Sequence, residues 1–385
     1  MAEFRRALKL DLPAGQSAFL WGARKTGKST WLHATFPDAV YYDLLDTDVM
    51  MDLTRRPALL REQLLARDPA LLQVPVILDE VQKVPPILDE VQWLIENRHL
   101  GFILCGSSAR KLKRGHANLL GGRAWRFEMH PLTFAEIPQF DLLRALNRGL
   151  IPAHYQQEQY RRSLRAYVQD YLKEEVFAEG LARNAGAFSR FFDAVGYSHG
   201  ELINYSNIAR DCGVDSKTVK EYYQILVDTL LGFFVEPFKR RQTRQVISKA
   251  PKFYLFDVGV AGALSRREIP HARGEAFGRA FEHFIAMELY AHRSYSELGY
   301  DVNFWRTKSG LEVDFILADA QVAVEVKGAA RVDERDLHGL RSFAQEFSPK
   351  HALVVCDEKQ ERLIGDIRIV PWRIFLSKLW AGEYL

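Results

Sequence analysis

The spacing of apolar residues changes character along this chain, and each change predicts a different kind of element. In the first third the apolar residues come in short unbroken runs: Ala18-Phe19-Leu20-Trp21, Val74 with Val76-Ile77-Leu78, and Phe102-Ile103-Leu104-Cys105. Such runs suit strands buried on both faces, as in a parallel sheet. Between the second and third, Ile87, Leu88, Val91, Leu94 and Ile95 fall at helical spacing behind Val84-Pro85-Pro86, a helix start. From Gln156 to about Glu179, Tyr160, Leu164, Tyr167, Val168, Tyr171 and Leu172 predict a helix that links two domains. Near the end the period drops to two. Leu311–Leu317 and Gln321–Lys327 alternate around Asp319-Ala320 and predict a hairpin. The fold class is α/β, with expected domains over 1–150, 151–248 and 249–385.

Composition narrows the function only slightly. The 385 residues are 48% hydrophobic and 26% charged, ordinary for a soluble globular protein. A formal net charge of +3 gives no global field for nucleic acid, so such a partner must meet a local basic patch. Cys105, Cys212 and Cys356 have no metal or disulfide spacing, which suits a reducing cytoplasm. No signal core follows Met1-Ala2-Glu3-Phe4-Arg5-Arg6, and no apolar run approaches the ~20 residues of a membrane span.

The first chemical signal is Gly22-Ala23-Arg24-Lys25-Thr26-Gly27-Lys28-Ser29-Thr30, a complete G-x-x-x-x-G-K-[ST] loop between a predicted strand and a helix starting near Lys28. Gly22 and Gly27 let successive N–H groups and a helix N-terminus face a polyphosphate. Lys28 is placed to reach the β- and γ-phosphates of ATP, and Ser29 to hold Mg²⁺.

An acidic partner is needed, and Ile-Leu-Asp-Glu-Val-Gln occurs twice, at 77–82 and 87–92. Only the first copy ends a strand, so Asp79 is assigned to the Mg²⁺ shell and Glu80 to the attacking water. Asp89 and Glu90 are expected on a solvated helix face. Ser107 or Ser108, behind the next strand, is placed either to sense the γ-phosphate or to cap a helix. Arg110, Arg123 and Arg126 are candidates for a charge-stabilising finger, acting across a subunit boundary; Arg123, after Gly121-Gly122, is favoured.

In the middle third, Ala209, Gly213 and Val219 have the spacing of a helix-turn-helix, with Asp215 or Ser216 as cap and Leu231–Val235 as the strand of a wing. Lys217, Lys220 and Gln224 would then meet phosphates or bases, with the basic run Lys239-Arg240-Arg241-Gln242-Thr243-Arg244 beyond them. The same segment could equally pack against its neighbours and touch no nucleic acid.

The hairpin carries the second chemical signal. Alternation puts Glu325 and Lys327 on one face, and a symmetric turn puts Asp314 across from Glu325. Opposed carboxylates need neutralising, which a second divalent ion, Mg²⁺ or Mn²⁺, would do with Asp314, Glu325 and Glu282 as ligands. Lys327 would position water in this D…E-x-K arrangement of metal-dependent nucleases. On the plainer reading Glu312 pairs with Lys327 and Asp314 is solvated.

These marks resemble a family of bacterial and archaeal AAA+ ATPases with a C-terminal domain of uncharacterised function of the PD-(D/E)XK nuclease type. The resemblance rests on residues 22–30, Leu78-Asp79-Glu80, Cys105-Gly106-Ser107-Ser108, Gly122-Arg123, Pro131–Phe134, Phe253–Gly259, Glu282, Glu312–Asp314 and Glu325–Lys327. It implies a parallel P-loop sheet with helices on both faces, a winged-helix segment and a nuclease-like α/β domain. It also implies a homo-oligomer, hexameric in one version. The expected activity is cytoplasmic ATP hydrolysis on nucleic acid, DNA foremost, with metal-dependent cleavage a further step. The alternative is a nucleotide-switched signalling or defence protein, or a scaffold, whose nuclease-like domain is inert.

Overall fold

The computed structural model describes residues 4–107, 120–172, 184–239 and 250–385. They form two compact units: Leu8–His130 with Asp228–Leu230, and Met1–Ala7 with Pro131–Val227 and Leu231–Leu385.

In the N-terminal unit the unbroken apolar runs become β1 (Ser17–Trp21), β3 (Val76–Asp79) and β4 (Phe102–Gly106), joined by β2 (Tyr41–Asp43) and β5 (Ala124–Glu128). The order is β2-β3-β4-β1-β5, and every pairing is parallel. β1, β3 and β4 are buried along their whole length, as the lack of alternation requires. Phe19, Leu78 and Leu104 share one apolar cluster with Leu88, Val91 and Leu94 of the helix Ile87–Arg98. That helix is the second copy of the repeated motif. Asp89 is exposed, while Glu90 is half-buried and pairs with Arg61 at 3.5 Å.

The C-terminal unit is built on an eight-stranded sheet. Its strands are β6 (Gly232–Pro237), β7 (Lys252–Leu255), β8 (Val302–Arg306), β9 (Glu312–Leu317), β10 (Val322–Lys327), β11 (His351–Cys356), β12 (Arg362–Ile364) and β13 (Ile367–Pro371). They lie in the order β12-β13-β11-β10-β9-β8-β6-β7. Helix Glu275–Tyr295 contributes Phe277, Phe281 and Phe284 to one apolar cluster, shared with Phe315, Leu317 and Val324. Helix His338–Phe347 contributes Leu340 and Phe343 to a second, shared with Trp305, Val313 and Ile316.

The predicted hairpin is β9–β10, with Ala318, Asp319 and Ala320 all at positive φ in its turn. The symmetric register holds from Leu317↔Val322 to Phe315↔Val324. On the other side of β9, the pairs with β8 shift by one residue between Asn303 and Trp305, so Asp314 and Phe315 together oppose Phe304. This bulge breaks the alternation: Val313 and Ile316, three apart, pack in one cluster, and Phe315 and Leu317 in the other.

A helix-turn-helix is present over Tyr205–Cys212 and Ser216–Asp228, with Gly213 between them at φ 67° and Ala209 and Val219 buried. Of the two candidate caps, Asp215 accepts the Thr218 N–H at 2.7 Å. The strand expected as its wing is β6, which pairs antiparallel with β7 and parallel with β8. It is therefore one strand within the large sheet. The expected boundary at 248/249 runs between two hydrogen-bonded strands of that sheet, and residues 131–150 supply Leu132, Ile137, Phe140 and Leu146 to its core.

Candidate nucleotide site and a buried carboxylate cluster

The phosphate-binding loop leaves the carboxyl end of β1, where ligands of parallel sheets bind. Gly27 takes φ 96° as the residue before helix Lys28–Thr35, a conformation glycine adopts without strain. A side chain at Gly22 would meet the Met129 carbonyl at 2.6 Å, so this position has no room for one. Lys28 is buried, and its Nζ donates to the carbonyls of Gly22 at 2.7 Å and Ala23 at 3.2 Å. Thr26 Oγ1 also donates to Ala23, at 2.8 Å. Lys25 and Thr30 are exposed and Arg24 half-buried.

Two strands away, Asp79 ends β3. Ser29 Oγ donates to its Oδ2 at 2.5 Å, Tyr41 Oη donates to the same oxygen at 2.6 Å, and the Glu80 N–H donates to Oδ1 at 2.9 Å. Burial pushes the Asp79 carboxyl up, but hydrogen bonds from Ser29, Tyr41, Cys105 and the Glu80 backbone outweigh it and hold the carboxyl below its ordinary range. A hydroxyl beside an ionised carboxylate at a helix N-terminus is an oxygen donor set that fits Mg²⁺. Glu80 follows at φ 56°, buried, and Gln82 Nε2 donates to its Oε2. The same amide donates to Ser107 Oγ at 3.2 Å, so Ser107, just past β4, is tied to Glu80 through Gln82. Ser108 and Arg110 lie outside the described residues.

Arg123 is elsewhere. It precedes β5, whose Ala124 pairs with Ser17 at the amino end of β1, a strand length of about 16 Å from the loop. Its Nη2 pairs with Glu96 Oε1 at 2.6 Å. Sequence reasoning placed it after a tight turn without knowing which end of the sheet that turn occupies, and the geometry excludes it from its own chain's nucleotide. Arg126, opposite Phe19 in mid-strand, is nearer but still about 10 Å along the sheet from the start of the loop.

In the C-terminal unit two of the three expected carboxylates, Glu282 and Asp314, converge with Glu312 on a lysine, while the third, Glu325, pairs with Lys327. Lys252 Nζ, on β7, lies 2.7 Å from Glu312 Oε1, 3.3 Å from Glu282 Oε1 and 3.7 Å from Asp314 Oδ1. Its side chain is only 5% exposed. Tyr254 Oη donates to Glu282 at 2.5 Å and Arg306 pairs with Glu312 at 2.9 Å. Asp314 Oδ2 accepts the Val326 N–H at 2.8 Å, and Lys327 pairs with Glu325 at 2.7 Å, leaving Glu325 Oε2 buried without a partner. Burial, then Glu325 and Glu282, push the Asp314 carboxyl well up. Burial works against the charged form of Lys252, yet Tyr254, Glu282, Asp314 and Glu312 raise it well above its ordinary range.

Among the described residues no three His, Cys, Asp or Glu side chains are disposed to hold a metal ion. The expected shell of Glu282, Asp314 and Glu325 does not fit one as it stands, because an ammonium already occupies the point on which Glu282 and Asp314 converge. The plainer sequence reading fails too: Glu312 pairs with Lys252 rather than Lys327, and Asp314 is 9% exposed. Lys252, Gln82 and Tyr41 are the residues that sequence reasoning missed. A lone lysine within the apolar run Lys252-Phe253-Tyr254-Leu255 was the available signal for the first, and Gln82 closes the very motif that supplied Asp79 and Glu80.

The basic candidates scatter. Lys217 and Lys220 are exposed on the second helix of the helix-turn-helix, Lys220 lying 5.2 Å from the Tyr205 ring centre. Lys239 is exposed beyond β6, and Arg240 and Arg241 lie outside the described residues. Cys105, Cys212 and Cys356 are free and buried, and among the described residues no helix is long and apolar enough to cross a membrane.

Comparison with known proteins gives three consecutive matches. Residues 15–138 match the family described as an AAA domain, 139–270 a domain of unknown function, DUF8612, and 277–375 another, DUF4143. Uncharacterized proteins of Mycobacterium tuberculosis and Mycobacterium bovis are each 24% identical over 324 residues, 81% of this chain and 69% of theirs. An uncharacterized protein of Haemophilus influenzae is 22% identical over 277 residues, 67% of this chain and 66% of its own. The first match covers the strand order, the loop and the Ser29–Asp79 pair, and it supports a P-loop NTPase domain of the AAA type in the N-terminal unit.

Proposed function

We propose that the chain is a Mg²⁺-dependent ATPase that acts on nucleic acid, DNA foremost, through its C-terminal unit. The observation that carries the ATPase is the contact of Ser29 Oγ with Asp79 Oδ2 at 2.5 Å, one residue from Lys28 and one from Glu80. The loop N–H groups cradle the phosphates, and Lys28 exchanges the Gly22 and Ala23 carbonyls for phosphate oxygens. Ser29 and Asp79 would hold Mg²⁺, which would supply positive charge to neutralise the phosphates during transfer. Glu80 takes a proton from the attacking water, and Gln82 and Ser107 fix its carboxylate. The exposed Lys217, Lys220 and Lys239 support a phosphate-backbone partner. A trans-acting role for Arg123 requires a homo-oligomer in which the amino end of one sheet meets the nucleotide of the next.

The test is the rate of ATP hydrolysis by the full chain with and without single- and double-stranded DNA, beside Lys28→Ala and Glu80→Gln. Turnover that rises with DNA and is lost in both variants supports the whole reading. Turnover indifferent to DNA removes the nucleic-acid half and leaves a nucleotide-switched protein. Absence of turnover in the unaltered chain, with Mg²⁺ present, removes the ATPase.

A further inference from the structure

We propose that Lys252 is a built-in cation that stands in the place of a divalent metal, so that the carboxylate cluster of the C-terminal unit is closed to metal ions in the resting protein. Four carboxylates gather here: Glu282 from the helix Glu275–Tyr295, Glu312 and Asp314 from β9, and Glu325 from β10. Lys252 reaches three of them, at 2.7, 3.3 and 3.7 Å. Glu312 is also held by Arg306 and Glu325 by Lys327, at 2.9 and 2.7 Å. Three cations thus face four acids, so the chain itself supplies most of the counter-charge that an added ion would bring. The lysine is held there as firmly as a ligand would be. Its β7 backbone pairs opposite Val235, the Phe304 ring centre lies 5.7 Å from Nζ, and Tyr254 hydrogen-bonds Glu282 from the same strand.

Removing one partner of a buried ion pair is strongly destabilising, because the charge left behind is uncompensated. The β9 bulge serves this arrangement: Asp314 and Glu312 both reach Lys252, while Phe315 returns to the apolar core. An ammonium also lacks what the nuclease reading needs, since it does not lower the pKa of a bound water as a divalent ion does. The inference extends the reading of the C-terminal unit to binding without metal-dependent cutting, and it is independent of the ATPase.

The experiment is a Mn²⁺ titration of the full chain without nucleotide, followed by electron paramagnetic resonance of free Mn²⁺ and by thermal midpoint. It compares the unaltered protein, Lys252→Met, and Lys252→Met combined with Glu325→Gln. Both units are present in every sample, so ions bound near Asp79 cancel in the comparison. Losing one charge at 3–4 Å is expected to raise Mn²⁺ affinity at this cluster by about a hundredfold or more. Lys252→Met should gain one ion and a metal-dependent rise in midpoint, both lost in the double variant. If Lys252→Met folds and gains no ion, the proposal is wrong. Should that variant fail to fold, the unaltered protein decides: Mn²⁺ binding that disappears in Asp314→Asn overturns the proposal, and the absence of such binding upholds it. DNA-stimulated ATPase is read separately and moves with neither result.

Discussion

Ser29 Oγ and Asp79 Oδ2, fifty positions apart in sequence, lie 2.5 Å apart across two strands of a parallel sheet. One comes from the first turn of a helix and the other from the last residue of a strand, so the sheet itself sets their separation. Asp79→Asn removes the charge but keeps the shape. ATP turnover is expected to fall by roughly 10²–10³-fold, the size typical of losing one electrostatic stabiliser. Ser29→Ala should cost less and should raise the Mg²⁺ concentration that gives half-maximal turnover. Steady-state rates across a Mg²⁺ series check both, and an unchanged Mg²⁺ dependence in Ser29→Ala would remove the serine from the metal shell.

Gln82 is a positioning residue. Its amide spans Glu80 and Ser107, and its Oε1 is buried without a partner against Gly106. Gln82→Leu keeps the volume and removes both hydrogen bonds, so Glu80 loses its fixed orientation while the phosphate loop is untouched. The expected result is a fall of about tenfold in kcat with nucleotide affinity nearly constant. A matching loss of nucleotide affinity would mean that Gln82 supports the loop rather than the carboxylate.

Gly149 adopts φ 77° and ψ −176°, and an added Cβ would run into the Asp257 carboxylate. Asp257 is fully buried and accepts N–H groups from Leu150 at 2.6 Å, Gly259 at 3.0 Å and Val260 at 2.9 Å. Gly149→Ala therefore combines a backbone conformation that only glycine tolerates with a displaced cap. A loss of about 3 kcal/mol is expected in chemical denaturation of the C-terminal unit's transition. If Gly149→Ala unfolds with the unaltered midpoint, the contact with Asp257 is not rigid.

The parallel sheet, the loop and the choice of Asp79 over Asp89 were legible because each rests on local pattern: unbroken apolar runs, glycine positions, and a strand against a Pro-Pro helix start. The position of Arg123 was not legible, because which end of a sheet a residue occupies depends on strand direction and order. The carboxylates Glu282, Asp314 and Glu325 were legible as a set of types. Lys252 was hidden because β7 reaches them only through β6 and β8, a pairing set by tertiary packing. The helix-turn-helix was read correctly from Ala209, Gly213 and Val219, but a free wing and an internal strand of a larger sheet share one apolar pattern at Leu231–Val235.

Glu288 gives the C-terminal unit a pH dependence with a definite sign. It is 1% exposed, its Oε1 accepts the Phe134 N–H at 2.7 Å, and its Oε2 accepts Trp380 Nε1–H at 2.8 Å. Burial pushes its carboxyl up to about 8, with Glu136 adding to the rise against the two hydrogen bonds. The folded protein thus holds a proton that the unfolded chain releases near 4.5, so this contribution to stability is full below that value and is lost as pH rises through about 8. His199 acts in the opposite sense. Burial and then Arg267 and Arg279 lower it to about 3, so the unfolded chain takes up the proton as pH falls below 6.5 and stability declines on the acid side. Thermal midpoints followed from acid to alkaline pH should therefore pass through a maximum, fall as pH rises toward about 8, and level off above it. Glu288→Gln, which cannot titrate, should be less stable at pH 6 by a few kcal/mol, order of magnitude, and should lose most of the fall in midpoint that leads up to about pH 8. A variant that keeps the full slope would place the titrating group elsewhere.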